Sequence, residues 1–546
     1  MLRRNFIRLS SVSVAGLLFS RLTSLAHSLI SIINSPDEVL LQIDQEWINM
    51  KPSNGNSYSY RDVHVSLHQK GDALSVYVNS QSIAVKGVRL VWKHQLKAQT
   101  QCLGDEWERT YGDVNWHQPE QNKKEDWYVI FHDGNDTTCF GVKTGCNALC
   151  YWNVSPQTLS LTLDTHSAGV GVQLGQRQLH AADIITTKNH PSETAFQTAH
   201  RFCKMMCDKP RLPKRPVYGI NDWYYAYGNN SAQLILEQTR MMTDLATDTA
   251  NRPYCVIDDG WEQPDDFSKP NEKFKDMHSV AGEIKKLGMH PGLWTRPLIA
   301  RHDDKPNLLA PKIKGRGQDD PNGLILDPTL PETLERVRHN FNLYREWGYE
   351  MVKFDYTTYD ITGRYGFRMK DSFTEEGWQF HDNSRTSAEI IKNLYGTIRE
   401  AAGEMYVIGC NTLSHLSAGL FELCRIGDDT SGKEWDRTRK MGVNTLGFRI
   451  IQHNAFYATD GDCVGLTSQI PWEKNKQWMQ LLAESSTPLF ISAQPDALGP
   501  EQKAFIKQCF AKAAKPQPIG EPLDWLTNPF PAKWKLDGKV VDFNWG

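Results

Sequence analysis

Between Leu40 and Leu179 apolar and polar residues alternate in short runs, as in Val63-His64-Val65-Ser66-Leu67 and Leu159-Ser160-Leu161-Thr162-Leu163, broken by Gly, Asn and Asp. A period of two puts successive side chains on opposite faces of an extended strand, so the runs predict strands with a buried face. The reading is an N-terminal β-sandwich over residues 36–205. Gly169-Val170-Gly171-Val172 lacks the full glycine spacing and the following helix of a nucleotide loop, and reads as a glycine-containing strand.

The period changes after Pro210, Pro213 and Pro216, three prolines in a basic stretch that interrupts regular structure and marks a junction. Helical stretches at Ser231–Leu245, Pro331–Trp347 and Thr386–Ala402 then alternate with apolar runs of strand length at Tyr254–Ile257, Met289–Trp294, Tyr349–Phe354, Met405–Gly409 and Pro488–Ser492. Strand-then-helix units repeated over about 300 residues predict an α/β fold, a (β/α)8 TIM barrel, over residues 215–515. Residues 516–546 are left as a short C-terminal β segment.

Composition narrows the picture. A chain of 546 residues has room for a catalytic barrel and an accessory domain. With 40% hydrophobic and 23% charged residues it is neither extended disorder nor a polytopic membrane protein. The 61 Lys and Arg are balanced by 64 Asp and Glu spread along the chain, so no basic stripe exists to meet nucleic acid. At the start, Arg3-Arg4-Asn5-Phe6-Ile7 followed by the apolar stretch Val12 to Phe19 reads as a twin-arginine-like export signal over residues 1–28. That predicts a periplasmic or cell-surface bacterial protein. The apolar stretch is shorter than the roughly 20 residues of a spanning helix, so no stable membrane span is expected in the mature chain. The 11 cysteines show no Cys-x-x-Cys pair, which gives no indication of zinc. Folding in a reducing cytoplasm would leave most of them as buried thiols, with a Cys203–Cys207 pair as the alternative.

The candidate chemistry lies where the predicted strands end, the face on which barrel enzymes build their sites. In chain order these ends carry Asp222-Trp223, Asp258-Asp259-Gly260-Trp261, Trp294 with Arg296, Lys353 with Asp355, Cys410-Asn411, and Arg425-Ile426-Gly427-Asp428-Asp429. One Asp at a strand end is more often a helix cap or turn residue. Several in barrel order point to a pocket. Hydroxyl-rich ligands need carboxylates and a cation at their polar edges and an aromatic face against their C–H surface, and Asp, Lys and Trp supply all three. Glycosidic cleavage needs two carboxyl groups, a division that Asp355 and Asp429 fit. Lys353 beside Asp355 would keep it ionised, while Asp429 would need surroundings that retain its proton until transfer.

From Val217 to Pro495 the sequence resembles the retaining α-galactosidases (melibiases) of glycoside hydrolase families 27 and 36 and the related raffinose-synthase-like proteins. Val352-Lys353-Phe354-Asp355 is similar to the family's Lys-x-Asp, whose Asp is the nucleophile, and Arg425-Ile426-Gly427-Asp428-Asp429 to its Arg-Ile-Gly-x-Asp, whose last Asp is the acid/base. Val256-Ile257-Asp258-Asp259-Gly260-Trp261 resembles the segment whose carboxylates bind the outer hydroxyls of galactose. The resemblance implies a retaining, exo-acting α-glycosidase with no metal or organic cofactor and an α-linked oligosaccharide or glycan as substrate. It also implies that Lys353 bonds sugar hydroxyls, that Trp294 and Arg296 line the pocket, that Cys410 and Asn411 sit near the 2-position, and that Arg425 orients the site. Gly292-Leu293-Trp294-Thr295-Arg296-Pro297 departs from the family pattern, in which an acidic residue follows the proline. The acidic run Ala458-Thr459-Asp460-Gly461-Asp462-Cys463 reads as a barrel loop near the pocket, without an assigned role. Two alternatives remain beside α-galactoside hydrolysis: an α-N-acetylgalactosaminidase or other α-glycosidase or transglycosidase of the same clan, and a carbohydrate-binding protein without catalysis. The second leaves the paired acids unexplained.

Overall fold

The computed structural model describes residue 33 and residues 35–316 and 323–546; the predicted export signal over residues 1–28 lies outside them. The N-terminal half is a 13-stranded antiparallel sheet. Val63–Lys70 buries Val63, Val65 and Leu67 and turns His64 outward, as its alternation requires. Lys124–His132 is buried along nearly its whole length, with cover on both faces. Val170–Gly171 is a short strand paired with His166–Ser167. The sheet ends at Lys188, and α1 (Ala195–Met206) follows, its start fixed by a capping box between Thr194 and Gln197.

The second half is a parallel sheet of nine segments: β1 (Tyr218–Asn221), β2 (Tyr254–Ile257), β3 (His290–Thr295), β4 (Met351–Phe354), β5 (Tyr406–Gly409), β6 (Leu423–Arg425), β7 (Ala458–Asp460), β8 (Cys463–Leu466) and β9 (Leu489–Ala493). Each of β1 to β6 pairs in parallel with the next. β8 pairs with β9, and β9 with β1. Because β8 continues β7 across Gly461 and Asp462, one interrupted strand closes the sheet into a barrel. The acidic run read as a loop is that seam. Asp462 takes a left-handed backbone there, φ 71°, which ends the pairing with β6 and lets the chain turn to pair with β9.

Helices packed outside the barrel include α2 (Ala232–Thr243), α3 (Met277–Lys286), α4 (Pro331–Glu346), α5 (Ser387–Ala402), α6 (Trp472–Glu484) and α7 (Pro500–Ala513). The three helices expected from the periodicity are thus present within a residue or two at each end. Residues after α7 form a three-stranded antiparallel sheet of Glu521–Pro522, Lys533–Leu536 and Lys539–Asp542. All 11 cysteines are buried free thiols, Cys203 and Cys207 included. Among the described residues no helix is long and apolar enough to cross a membrane.

Sheet and barrel meet at a seam built by residues 107–111. Thr110 pairs with Gly427 as a parallel bridge just beyond β6. Its N–H donates to the Ile426 carbonyl at 2.9 Å, and the Asp428 N–H donates to the Thr110 carbonyl at 2.9 Å. The barrel's sixth strand is therefore extended by a piece of the N-terminal half.

Candidate active site

The carboxyl ends of the barrel strands gather the predicted residues around one mouth. Asp355 directly follows β4. Its Oδ1 accepts the Tyr356 N–H at 2.7 Å and its Oδ2 the Trp294 Nε1–H at 3.4 Å. Tyr356 is left-handed, φ 63°, a costly conformation for a residue with a Cβ that turns its N–H back onto the carboxylate. Asp429 lies just past β6. Arg425 Nη2 donates to its Oδ1 at 2.9 Å, and Arg109 Nη1 stands 3.6 Å from the same oxygen. Asp355, Asp428 and Asp429 line a single cavity of about 370 Å³, together with Arg109, Tyr365 and Phe367.

The floor is a buried charge network. Lys353 Nζ lies 2.7 Å from Asp258 Oδ2, which also accepts the Asn221 amide at 2.7 Å. Burial works against the Lys353 charge, but the Asp258 carboxylate outweighs it and lifts the ammonium well above its usual range. Asp259 is pushed up, by burial first and then by neighbours that include Asp258 and Asp355. Glu262, which the sequence reading passed over, is raised to about 8 by burial and by the Asp259 carboxyl next to it. Asp429 behaves oppositely. Burial pushes it up, but Arg425, Arg109 and Lys353 overcome that and hold it at about 2. These cations keep Asp429 ionised, contrary to the expectation that its surroundings hold a proton on it.

Other predicted residues sit behind the mouth. Trp261 is fully buried; its ring packs edge-on to Trp347 and Tyr344, and its Nε1–H donates to the Trp294 carbonyl at 2.9 Å. It supports Trp294 from behind. Asp222 spends both oxygens inside the protein, on the Asp258 N–H and the Asn230 amide, each at 2.7 Å. Burial, followed by the Asp258 charge, raises it to about 7. Trp223 opens a four-residue helix and packs against Tyr227. Asn411 is occupied on every side: its amide donates to Glu108 Oε2, its Oδ1 accepts the Tyr359 N–H at 3.0 Å, and its carbonyl takes the Thr357 and Thr358 hydroxyls. Buried at 1% exposure, it is a scaffold residue that ties the segments of Glu108 and Tyr359 together. Cys410, 1% exposed, sits under Arg425 with Sγ 3.8 Å from Nη1. Arg296 forms a two-pronged pair with Asp360, at 2.7 and 3.2 Å, and lies over the Tyr356 ring at 4.3 Å.

No model of a known protein family matches the chain. Over 138 residues it is 29% identical to "Putative alpha-galactosidase 8" of Emericella nidulans, a match covering 23% of this chain and 26% of that relative. It thus spans about a quarter of that protein's length. The fold is similar over far more of the chain. The α-galactosidase TtGalA of Thermus thermophilus, solved with p-nitrophenyl α-D-galactopyranoside, superposes with a TM-score of 0.61 at 16% identity, covering 93% of this chain and 99% of that one. The family 36 α-galactosidase AgaA of Geobacillus stearothermophilus gives 0.57 at 12% identity over 87% and 75%. A cycloalternan-degrading enzyme of Trueperella pyogenes gives 0.53 at 11% identity over 94% and 88%.

The fold is that of the α-galactosidases.

Within this α-galactosidase fold, two site residues escaped the sequence reading because they come from the N-terminal sheet. Arg109 pairs with Asp428 at 3.1 Å as well as approaching Asp429. Glu108 accepts the Gly366 N–H at 2.7 Å, the Tyr111 hydroxyl and the Asn411 amide, tying three segments together. Their signal was the cluster Glu106-Trp107-Glu108-Arg109-Thr110-Tyr111, charged and aromatic in the middle of a strand-rich half. Asp462 also acquires a role. One oxygen pairs with Arg425 Nη1 at 2.9 Å; the other accepts the Thr430 N–H at 2.7 Å and the Tyr224 hydroxyl.

Proposed function

We propose that the chain is a retaining, exo-acting α-glycosidase, with α-galactosides as its preferred substrates. The observation that carries this reading is the pair Asp355 and Asp429 lining one cavity at the ends of β4 and β6. Asp355, accepting two N–H bonds, is the nucleophile: it attacks the anomeric carbon and forms a β-linked glycosyl-enzyme. Asp429 protonates the departing oxygen and, once deprotonated, takes a proton from the water that releases the sugar with retained α configuration. Asp429, held ionised by Arg425 and Arg109, is already the base required by the second step. The first step needs it protonated, which a bound substrate favours by covering the carboxylate and lowering the local polarity around it. Asp258, Asp259 and Lys353 are assigned the outer sugar hydroxyls.

Galactose is favoured because the fold neighbours include α-galactosidases solved with p-nitrophenyl α-D-galactopyranoside and with stachyose, and because the partial relative carries an α-galactosidase name. A second reading, hydrolysis or transfer of another α-glycoside, has one observation in its favour, the likeness to the cycloalternan-degrading enzyme. We assign the antiparallel sheet to a folded-over sandwich domain, since its inner strands are covered on both faces, and retain residues 1–28 as an export signal to the periplasm or cell surface.

The test is nitrophenol release from p-nitrophenyl α-galactoside, α-N-acetylgalactosaminide and α-glucoside. The galactoside should be cleaved fastest, and Asp355→Ala should lower its turnover about 10³-fold or more while leaving the protein folded. Asp429→Ala should regain part of its turnover with added azide. Faster release from the glucoside would displace galactose, and full activity of Asp355→Ala would remove the nucleophile assignment.

A further inference from the structure

Cys102, His117 and Glu125 come together in the N-terminal half, and none of them lines the cavity of Asp355 and Asp429. Cys102 lies in the strand Gln101–Asp105, and Glu125 in the strand Lys124–His132 that pairs with it. His117 returns to Cys102 by two backbone bonds, each N–H donating to the other's carbonyl, at 2.8 and 3.0 Å. A thiol sulfur, a ring nitrogen and a carboxylate oxygen, one from each residue, all lie within 4.8 Å of one another. Cys102 and Glu125 are buried. A Cβ on Gly104 would run into the Glu125 carboxylate, so the glycine is what lets that carboxylate lie over the strand.

The hydrogen bonding of His117 leaves two acceptors facing each other. Its Nδ1 stands 2.8 Å from the Gln118 carbonyl. A carbonyl only accepts, so Nδ1 carries the hydrogen. In the neutral ring Nε2 then presents a lone pair, and 3.1 Å away it meets Glu125 Oε1, a second acceptor. Only a shared cation reconciles the two. A proton engages the ring and the carboxylate alone; a divalent ion engages the Cys102 sulfur as well, which lies 3.6 Å from Nδ1 and 3.9 Å from Nε2. With a thiolate and a carboxylate the ion's two charges are balanced, and a neutral imidazole completes a buried site of no net charge. A mixed sulfur, nitrogen and oxygen set suits zinc, whereas calcium and magnesium take oxygen ligands. The Nδ1–H bond to a carbonyl is the outer contact that orients a metal-bound histidine.

We propose that Cys102, His117 and Glu125 bind a zinc ion through Sγ, Nε2 and Oε1, and that the ion clamps the base of the loop that carries Glu108 and Arg109 to the barrel. Binding exchanges the thiol proton for the ion: the S–H bond breaks, an S–Zn bond forms and the proton leaves to solvent. The sulfur gives up its contact with the His117 carbonyl at 3.5 Å. Water fills the fourth position from a neighbouring cavity of about 290 Å³, lined by His117, Glu125, Asp105 and Asn122 among others. Cys102 and His117 bracket residues 103–116, so an ion joined to both fixes the two ends of that loop at once. Thr110, within the loop, is bonded to Ile426 and Asp428 beside the acid/base candidate.

The full chain, stripped with EDTA, is titrated with Zn²⁺ and separately with Co²⁺, whose bond to a thiolate gives a near-ultraviolet charge-transfer band. The wild type should take up a single zinc ion, show the cobalt–thiolate band and rise in Tm with zinc. Cys102→Ser should lose the band, and both Cys102→Ser and Glu125→Gln should bind zinc about tenfold or more weakly. Tm values in EDTA check that the variants fold, and Glu125→Gln, which keeps the side chain's shape, carries the comparison if Cys102→Ser does not. Amide exchange over residues 103–116 should slow with zinc in the wild type and stay unchanged in Glu125→Gln. A folded wild type with neither zinc uptake nor the cobalt band overturns the site, leaving an imidazolium–carboxylate pair beside a thiol. Zinc held as tightly by the folded variants places the ion elsewhere and overturns it equally. Zinc bound at these residues with no change in exchange over 103–116 overturns the clamp.

Discussion

Arg109, delivered by the N-terminal sheet, stands 3.6 Å from the carboxylate of Asp429, which follows a strand of the barrel. The acid/base candidate is thus electrostatically governed by a residue from the other half of the molecule. Arg425, buried and itself pinned by Asp462, is the second cation on the same oxygen.

Removing the Arg109 charge should raise the pKa of Asp429, because one of the two guanidiniums that hold it at about 2 is lost. A general acid must be protonated to act, so its pKa sets the alkaline limb of the kcat/KM profile. Arg109→Gln should move that limb to higher pH, and Arg109→Lys, which keeps the charge, should stay near the wild type. A pH profile of nitrophenyl galactoside cleavage checks this, and an unmoved alkaline limb in the Gln variant would argue that Arg109 acts on Asp428 alone.

Asn411 predicts a loss of stability in place of a change of sugar preference. Its replacement by Ala strips the Tyr359 N–H and the Glu108 carboxylate of a buried partner. Leaving such groups unsatisfied costs about 2–4 kcal/mol. Urea unfolding should show that decrease. Unchanged stability together with altered selectivity between galactoside and N-acetylgalactosaminide would return Asn411 to the 2-position.

Acid sensitivity follows from His415. The ring is fully buried, stacked on Trp127 at 4.9 Å, with Nε2 bonded to the Val142 carbonyl at 2.8 Å and Nδ1 lacking a partner. Burial lowers it to about 4, against about 6.5 in the unfolded chain. The folded state thus binds this proton less readily than the unfolded one. Stability is full above about pH 6.5 and falls as the pH drops toward 4, by about 3 kcal/mol at most. His415→Gln should flatten the dependence of Tm on pH across that window. An equally steep dependence would assign the acid sensitivity elsewhere, for example to His453, which burial lowers to about 3.

Most of the barrel was legible because β2 to β5 and β9 are apolar runs between amphipathic helices, and because Lys353, Asp355 and Asp429 stand at strand ends where topology decides the face. What periodicity does not give is the direction of a side chain just past a strand. Trp261 and Asp222 sit in the same short stretches as residues near the mouth, yet they turn back into the protein to support Trp294 and Asp258. Arg109 and Glu108 were illegible for another reason: their contacts run to residues hundreds of positions away, which no local pattern encodes. The seam at Asp460 to Asp462 reads as a loop because polar residues with a glycine look like one, whereas these residues are buried and Asp462 is bonded to Arg425 and Thr430.

That seam has a consequence for where the molecule is vulnerable. The strand that closes the barrel is interrupted at Asp462, and Asp462 is also the counter-ion of Arg425, which in turn holds Asp429. Latch and acid/base share one carboxylate. Parting of β8 from β9 would release Arg425 and disarm the site while the other strands and helices stayed in place. Loss of the join at Asp462 would therefore cost activity as well as the closure of the barrel.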